Sequence, residues 1–151
     1  MVHLIVGKKG TGKTQKLICS ANEAAEKALG SVVCIEKGDS LRYQISSKVR
    51  LIDSDEYNIL GYDKLYGFIC GILASNYDIE TLYCDALFRI AERDQEKLHE
   101  FILKINKISE GKNIYFSVSC DESELSKENR ALFREANPSV KCLLLKSDKI
   151  F

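Results

Sequence analysis

The sequence predicts an α/β fold, a three-layer α/β/α arrangement around a mostly parallel sheet of about five to six strands. Three observations predict it. Short apolar runs of strand length recur along the chain, each bounded by glycine or a polar residue. Longer stretches between them repeat their apolar residues at helical spacing. With 151 residues, 45% hydrophobic and 29% charged, the chain has the size and balance of a single domain over 1–151, with no repeat or linker.

Residues 2–6 (VHLIV) form an apolar run ending at Gly7, as expected of a strand buried on both faces. Residues 14–29 carry Leu17, Ile18, Ala21, Ala24, Ala25, Ala28 and Leu29 along one helical stripe, with Gly30 expected as the left-handed stop. Residues 31–36 (SVVCIE) read as a second strand, and Gly38-Asp39 turns the chain. A third strand is expected over 49–53. A helix over 62–75 presents Leu65, Phe68, Ile69, Ile72 and Leu73 on one face.

Residues 79–85 (IETLYCD) are a strand whose last residue is an aspartate. An amphipathic helix over 94–110 runs through Leu98, Phe101, Ile102, Ile105 and Ile108 and closes at Gly111. Residues 113–120 (NIYFSVSC) return as a strand. Asp121 and Glu124 have capping-box spacing and predict a helix to about Ala136, before Asn137-Pro138. Residues 140–145 (VKCLLL) are the final strand.

Charge and cysteine content exclude several classes. Lys plus Arg (22) balance Asp plus Glu (22), so binding of a polyanion by bulk charge is disfavoured, while a local basic patch stays open. Aromatic residues are not interleaved with basic ones, so there is no nucleic-acid signature. The longest mostly apolar uncharged run, 65–74, is about half of the roughly 20 residues a spanning helix needs. Residues 2–6 lack a cleavage pattern, so no signal peptide is expected. The six cysteines show neither C-x-x-C spacing nor a nearby histidine, which points to reduced core thiols in the cytoplasm. His3 is expected to pack within the first strand and His99 to lie on a solvated helix face; neither belongs to a triad.

The chemistry concentrates at Gly7-Lys8-Lys9-Gly10-Thr11-Gly12-Lys13-Thr14, which matches G-x-x-x-x-G-K-[ST] at every fixed position. A strand precedes it and an amphipathic helix follows. Glycines let the backbone curl until successive N–H groups converge on phosphate oxygens, and a Cβ would crowd them. The helix adds its unsatisfied amides and positive dipole end. Lys13, expected to be solvated when no nucleotide is bound, reaches the β- and γ-phosphates, and the Thr14 hydroxyl can ligate Mg²⁺. Lys8 and Lys9 strengthen attraction to a triphosphate. Asp85, at the end of Leu82-Tyr83-Cys84-Asp85, lies at the strand edge where the loop also lies and is the expected Mg²⁺-site carboxylate.

With these residues the chain resembles the P-loop nucleoside triphosphatases, 7–14 and 82–85 looking like their Walker A and Walker B elements. The order of strands is similar to the RecA-like and AAA-like branch. That resemblance implies that the strand after Walker B, ending at Ser117 and Ser119, lies between the Walker A and Walker B strands and senses the γ-phosphate. The opening GKKGTGKT is also similar to small ATP-binding proteins of Gram-positive bacteria labelled twitching-motility ATPases. The chain departs from the pattern after Asp85, where Ala86-Leu87-Phe88 stands in place of an activating acid. Glu36, ending the second strand, is the alternative candidate for general base. Arg89 and Arg93 are candidates for neutralising transition-state charge, ahead of Arg42, Arg130 and Arg134. Tyr43, Tyr57 and Tyr62 are candidates to stack on a base.

Guanine-reading elements are missing, since Leu145-Lys146-Ser147-Asp148 lacks the asparagine and Asp85 to Phe88 lacks the glycine of the switch. ATP with Mg²⁺ is therefore the expected ligand pair. The expected activity is a small Mg-dependent ATPase, assisted by a protein partner or a second copy. The alternatives are an ATP-binding switch with little turnover and, ranked last, a small-molecule kinase whose acceptor loop would fall within 54–63.

Overall fold

Alternating strands and helices require crossover connections, and every pairing in the computed structural model, which describes residues 1–134 and 140–145, is parallel. The strands are β1 (Val2–Gly7), β2 (Ser31–Glu36), β3 (Val49–Asp53), β4 (Ile79–Cys84), β5 (Asn113–Ser119) and β6 (Val140–Leu144), in the spatial order β3-β2-β4-β5-β1-β6. The helices are α1 (Lys13–Lys27), α2 (Tyr62–Ser75), α3 (Leu87–Ile90), α4 (Gln95–Ile108) and α5 (Lys127–Arg134). The α/β class and the six strands are as the sequence predicts, and β5 lies between β1 and β4 as the resemblance implies. Asn137-Pro138 and Lys146 to Asp148 lie outside the described residues.

The two faces of the sheet are covered differently. On one, Leu65, Ile69, Leu98, Phe101, Ile102, Ile105, Leu132 and Phe133 bring α2, α4 and α5 onto Leu4, Val33, Leu82, Phe116 and Val118. On the other, α1 is the only long helix among the described residues. Its Leu17, Ile18, Ala21 and Ala25 meet Ile5, Val32, Cys34 and Val49, and Leu41 and Ile45 of the 37–48 connection complete the layer. Flat rings fill the rest of this face. His3 stacks on Tyr115 at 4.2 Å, and Tyr115 on Tyr83 at 4.6 Å.

Several local expectations change. Gly30 is not a left-handed stop: α1 ends at an extended Ala28, and a Cβ on Gly30 would run into the Asp78 carbonyl. The Asp121–Glu124 capping box closes only a single 3-10 turn, Glu122–Glu124. Leu125 is then extended, and the Ser126 hydroxyl accepts from Asn129 N–H at 3.1 Å to start α5 separately. His99 is half-buried, its Nδ1 lying 2.9 Å from Oδ1 of the buried Asn129, so its helix face is not simply solvated. Among the described residues no helix is long and apolar enough to cross a membrane.

Close approach at Gly30 and open space around Gly67 in α2 make opposite predictions. Gly30→Ala should cost about 1–3 kcal/mol, the usual penalty for forcing atoms into filled space. Gly67→Ala has nothing within 4 Å of the new Cβ and should gain about 0.5–1 kcal/mol. Urea denaturation measures both, and equal midpoints for the two variants would contradict the packing described.

Candidate functional site

In a parallel sheet every second side chain points to the same face, so register decides which strand ends meet. Glu36 is level with Asp53 of β3, and Asp85 directly follows Cys84, which pairs Ile35 on one side and Phe116 on the other. Asp85 therefore falls between Glu36 and Ser117, and all three belong to the face that α1 covers. Thr14, in the first turn of α1, meets this row from the phosphate loop.

Within the loop, Gly10 and Gly12 adopt φ of +83° and +88°, where a Cβ would find open space. Here it is the backbone conformation that demands glycine, with no protein contact to crowd. Gly7 ends β1 beneath Thr11 and Leu145. The Lys8 carbonyl accepts from Thr11 N–H at 3.3 Å, Thr11 Oγ1 at 2.8 Å and Lys13 Nζ at 2.7 Å, which holds the bend closed. Lys13 is thus buried and engaged, contrary to the expectation of a solvated side chain. Desolvation lowers its pKa, and the Asp85 carboxylate opposes that shift. Lys8 and Lys9 are exposed.

Helix α1 begins at Gly12 with no side-chain cap and no acid in its first turn. By contrast, Asp94 caps α4 by accepting from Lys97 N–H at 3.0 Å. The amides of Lys13, Thr14 and Gln15 have no intrahelical acceptor, an arrangement suited to an anion. They open into a cleft of about 560 Å³, within the range of small-ligand sites. Among the described residues Lys9, Lys13, Arg89 and Arg93 line it against one carboxylate, Asp85, and Arg93 also pairs with Glu124 at 3.4 Å. A chain of zero net charge thus concentrates cations at one place.

The Thr14 hydroxyl donates to Asp85 Oδ2 at 3.2 Å and Oδ1 at 3.3 Å. Ser117 Oγ donates to Asp85 Oδ1 at 2.6 Å and accepts from Ala86 N–H at 2.6 Å. A hydroxyl and a carboxylate are hard oxygen donors and suit Mg²⁺. Among the described residues no three His, Cys, Asp or Glu side chains cluster as a metal cage. A cation held by Thr14 and Asp85 would thus take its other ligands from water and phosphate, the usual habit of Mg²⁺.

Glu36 is buried beside this row, yet both its oxygens face the 38–41 turn. Oε1 accepts from the Ser40 N–H and hydroxyl and Oε2 from Leu41 N–H, each at 3.0 Å. Burial raises its pKa, these donors lower it, and Asp85 adds a further upward push. Arg89 is exposed at the cleft, and Arg93 donates to the Ser119 carbonyl at 2.7 Å.

The weaker candidates lie elsewhere. Arg42 donates to the Tyr43 hydroxyl at 2.7 Å, and Arg130 donates to the carbonyls of Glu122 and Ser123. The Arg134 side chain lies outside the described residues. Tyr43 and Tyr57 are exposed, and Tyr62 is buried against Phe101 with its hydroxyl on the Glu92 carbonyl. None of residues 54–63 lines the phosphate-loop cleft, and Leu60 to Asp63 face a separate cavity of about 390 Å³ between α2 and α4. The sequence reading missed the strained backbone of Ala86 (φ 51°) and the short helix α3 that follows it. An alanine gives no signal for such a turn.

No family model matches the chain, and no curated protein matches it in sequence. Among solved structures it is similar to a KaiC-like protein of the hyperthermophilic archaeon Pyrococcus horikoshii, with a TM-score of 0.66 at 20% identity over 99% of this chain and 74% of that one. The likeness is one of fold, and with the strand order it makes this a RecA-like P-loop fold.

Ala86 generates a prediction of its own. A non-glycine residue in the left-handed region costs about 1–2 kcal/mol, so Ala86→Gly should raise stability by up to about 1 kcal/mol in urea denaturation. An alanine in relaxed backbone would instead lose stability on the same change.

Proposed function

We propose that the chain binds Mg-ATP through residues 7–14 and acts as a small ATPase. The observation that carries this reading is the meeting of Thr14 and Asp85 at the mouth of an uncapped helix, inside a cleft lined by four cations. Gly7, Lys8, Lys9, Gly10, Thr11, Gly12, Lys13 and Thr14 hold the phosphates, chiefly by amides, with Lys13 as the mobile charge. To serve a γ-phosphate, Lys13 Nζ exchanges the Lys8 carbonyl for phosphate oxygen. Thr14 and Asp85 hold Mg²⁺. When bound, the ion neutralises charge on the β- and γ-oxygens.

Glu36 is the proposed general base. Its position beside Asp85 and the upward push of burial suit a carboxyl asked to take a proton near neutral pH. It must first release at least one donor of the 38–41 turn. Arg89 and Arg93, reaching the cleft from the segment after Asp85, are placed to offset charge developing on the phosphate. A specific observation favours a second reading, a nucleotide switch with little turnover. No acid follows Asp85, and Glu36 is engaged at both oxygens. Under the ATPase reading, a partner or a second copy supplies what the chain lacks for hydrolysis. A kinase finds less support, since 54–63 stays away from the cleft. Base recognition is unassigned, and ATP stands because no guanine-reading element is present in the sequence. A reducing, cytoplasmic setting suits the buried thiols, burial pushing Cys120 up to about 11.

Nucleotide affinity measured with and without Mg²⁺ tests the reading. Lys13→Ala should weaken ATP binding by about 2–5 kcal/mol, the range for truncating one partner of a desolvated charge pair. Unchanged affinity refutes the site. Asp85→Asn should weaken Mg-ATP more than metal-free ATP. Phosphate release by the isolated protein supports the ATPase, whereas binding without release leaves the switch or an ATPase awaiting a partner, and Glu36→Gln should stop any release without loosening binding. Normal turnover in that variant removes Glu36 as base.

A further inference from the structure

We propose that Ser117 is the positioning residue that fixes the orientation of the Asp85 carboxylate. The inference rests on the Mg-ATP reading and deepens it. It also replaces the role that family resemblance gives to Ser117, because a hydroxyl spent on two protein partners has no proton left for a γ-phosphate.

A serine hydroxyl offers one proton and two acceptor positions. Ser117 is 1% exposed, on a strand flanked by β1 and β4, so no water competes for either. The Ala86 amide, 2.6 Å away, is a donor only and must take an acceptor position. The hydroxyl proton is thereby directed to Asp85 Oδ1, also at 2.6 Å, within the short range typical of O–H donation to a carboxylate.

Comparison of lengths decides which partner sets the carboxylate. The Thr14 contacts, at 3.2 and 3.3 Å, are long for hydroxyl donation, whereas the Ser117 contact is short and buried. Ser117 therefore holds Oδ1, and Oδ2, with only the long Thr14 contact among those described, is the oxygen left open to a cation. The backbone of Asp85 is pinned separately, its N–H donating to the Ile35 carbonyl at 2.9 Å. Main chain and side chain are thus fixed from the two neighbouring strands, β2 and β5. The same serine also secures the left-handed Ala86, from which the chain runs on along the cleft through Phe88 and Arg89.

The test measures ATP affinity with and without Mg²⁺ for the wild type, Ser117→Ala, Ser117→Cys and Ser117→Thr. Losing a partner that orients a metal-binding carboxylate costs typically 10–100-fold in metal-linked affinity. The Ala and Cys variants should lose that much of the Mg²⁺-dependent gain, with metal-free ATP affinity kept within about threefold; Thr, which retains the hydroxyl, should keep the gain. Cysteine preserves the bulk of the site, so it carries the test where alanine fails to fold. A full Mg²⁺-dependent gain in the Ala or Cys variant overturns the proposal, as does an equal loss with and without metal. Absence of any Mg²⁺-dependent gain in the wild type overturns the Mg-ATP reading itself.

Discussion

Parallel strands in register present every second side chain to the same covering helix, and here that rule aligns Glu36, Asp85 and Ser117 beneath the start of α1. Desolvated carboxylates cannot be left without donors. The chain meets this cost locally, with Ser40 and Leu41 for Glu36 and with Ser117 and Thr14 for Asp85. The phosphate loop then joins β1 to α1 so that Thr14 arrives at the same row. Each part of the site is a strand end or a helix start, the rigid positions of the fold, and unusual backbone is confined to the loop between them and to Ala86.

Much of this was legible in the sequence because it depended on spacing. The eight residues from Gly7 to Thr14 carry their own geometry, and the apolar runs around them fix strand and helix with little ambiguity. Asp85 was readable as the acid after a buried strand, and the place of β5 followed from family resemblance. What escaped was set by contacts distant in sequence. Gly30 looks like a helix stop but is dictated by Asp78, nearly fifty positions on. Leu41 and Ile45 read as a loop, yet they serve as core because α1 leaves part of its face open. The burial of Lys13 arises from an interaction with Lys8, five residues earlier, and periodicity says nothing of it.

Glu36 has a structural duty that stands apart from any part in chemistry. Its carboxylate ties down the turn that leads to Leu41, and Leu41 seals the layer over Cys34 and Val49. Freeing it for proton transfer thus loosens a piece of the core. A fold that used Glu36 as base would couple each turnover to movement of the 38–48 segment. A fold that did not would keep the turn shut.

The crowding of cations at the cleft has an electrical consequence. Because the full chain is neutral, those cations are matched elsewhere, and some of the matching is close at hand: Arg93 lies 3.4 Å from the Glu124 carboxylate. An anion within about 8–10 Å of the cleft mouth feels those cations before contact, and beyond that distance intervening salt erases their pull. The cations therefore act locally, over the cleft mouth and little beyond it.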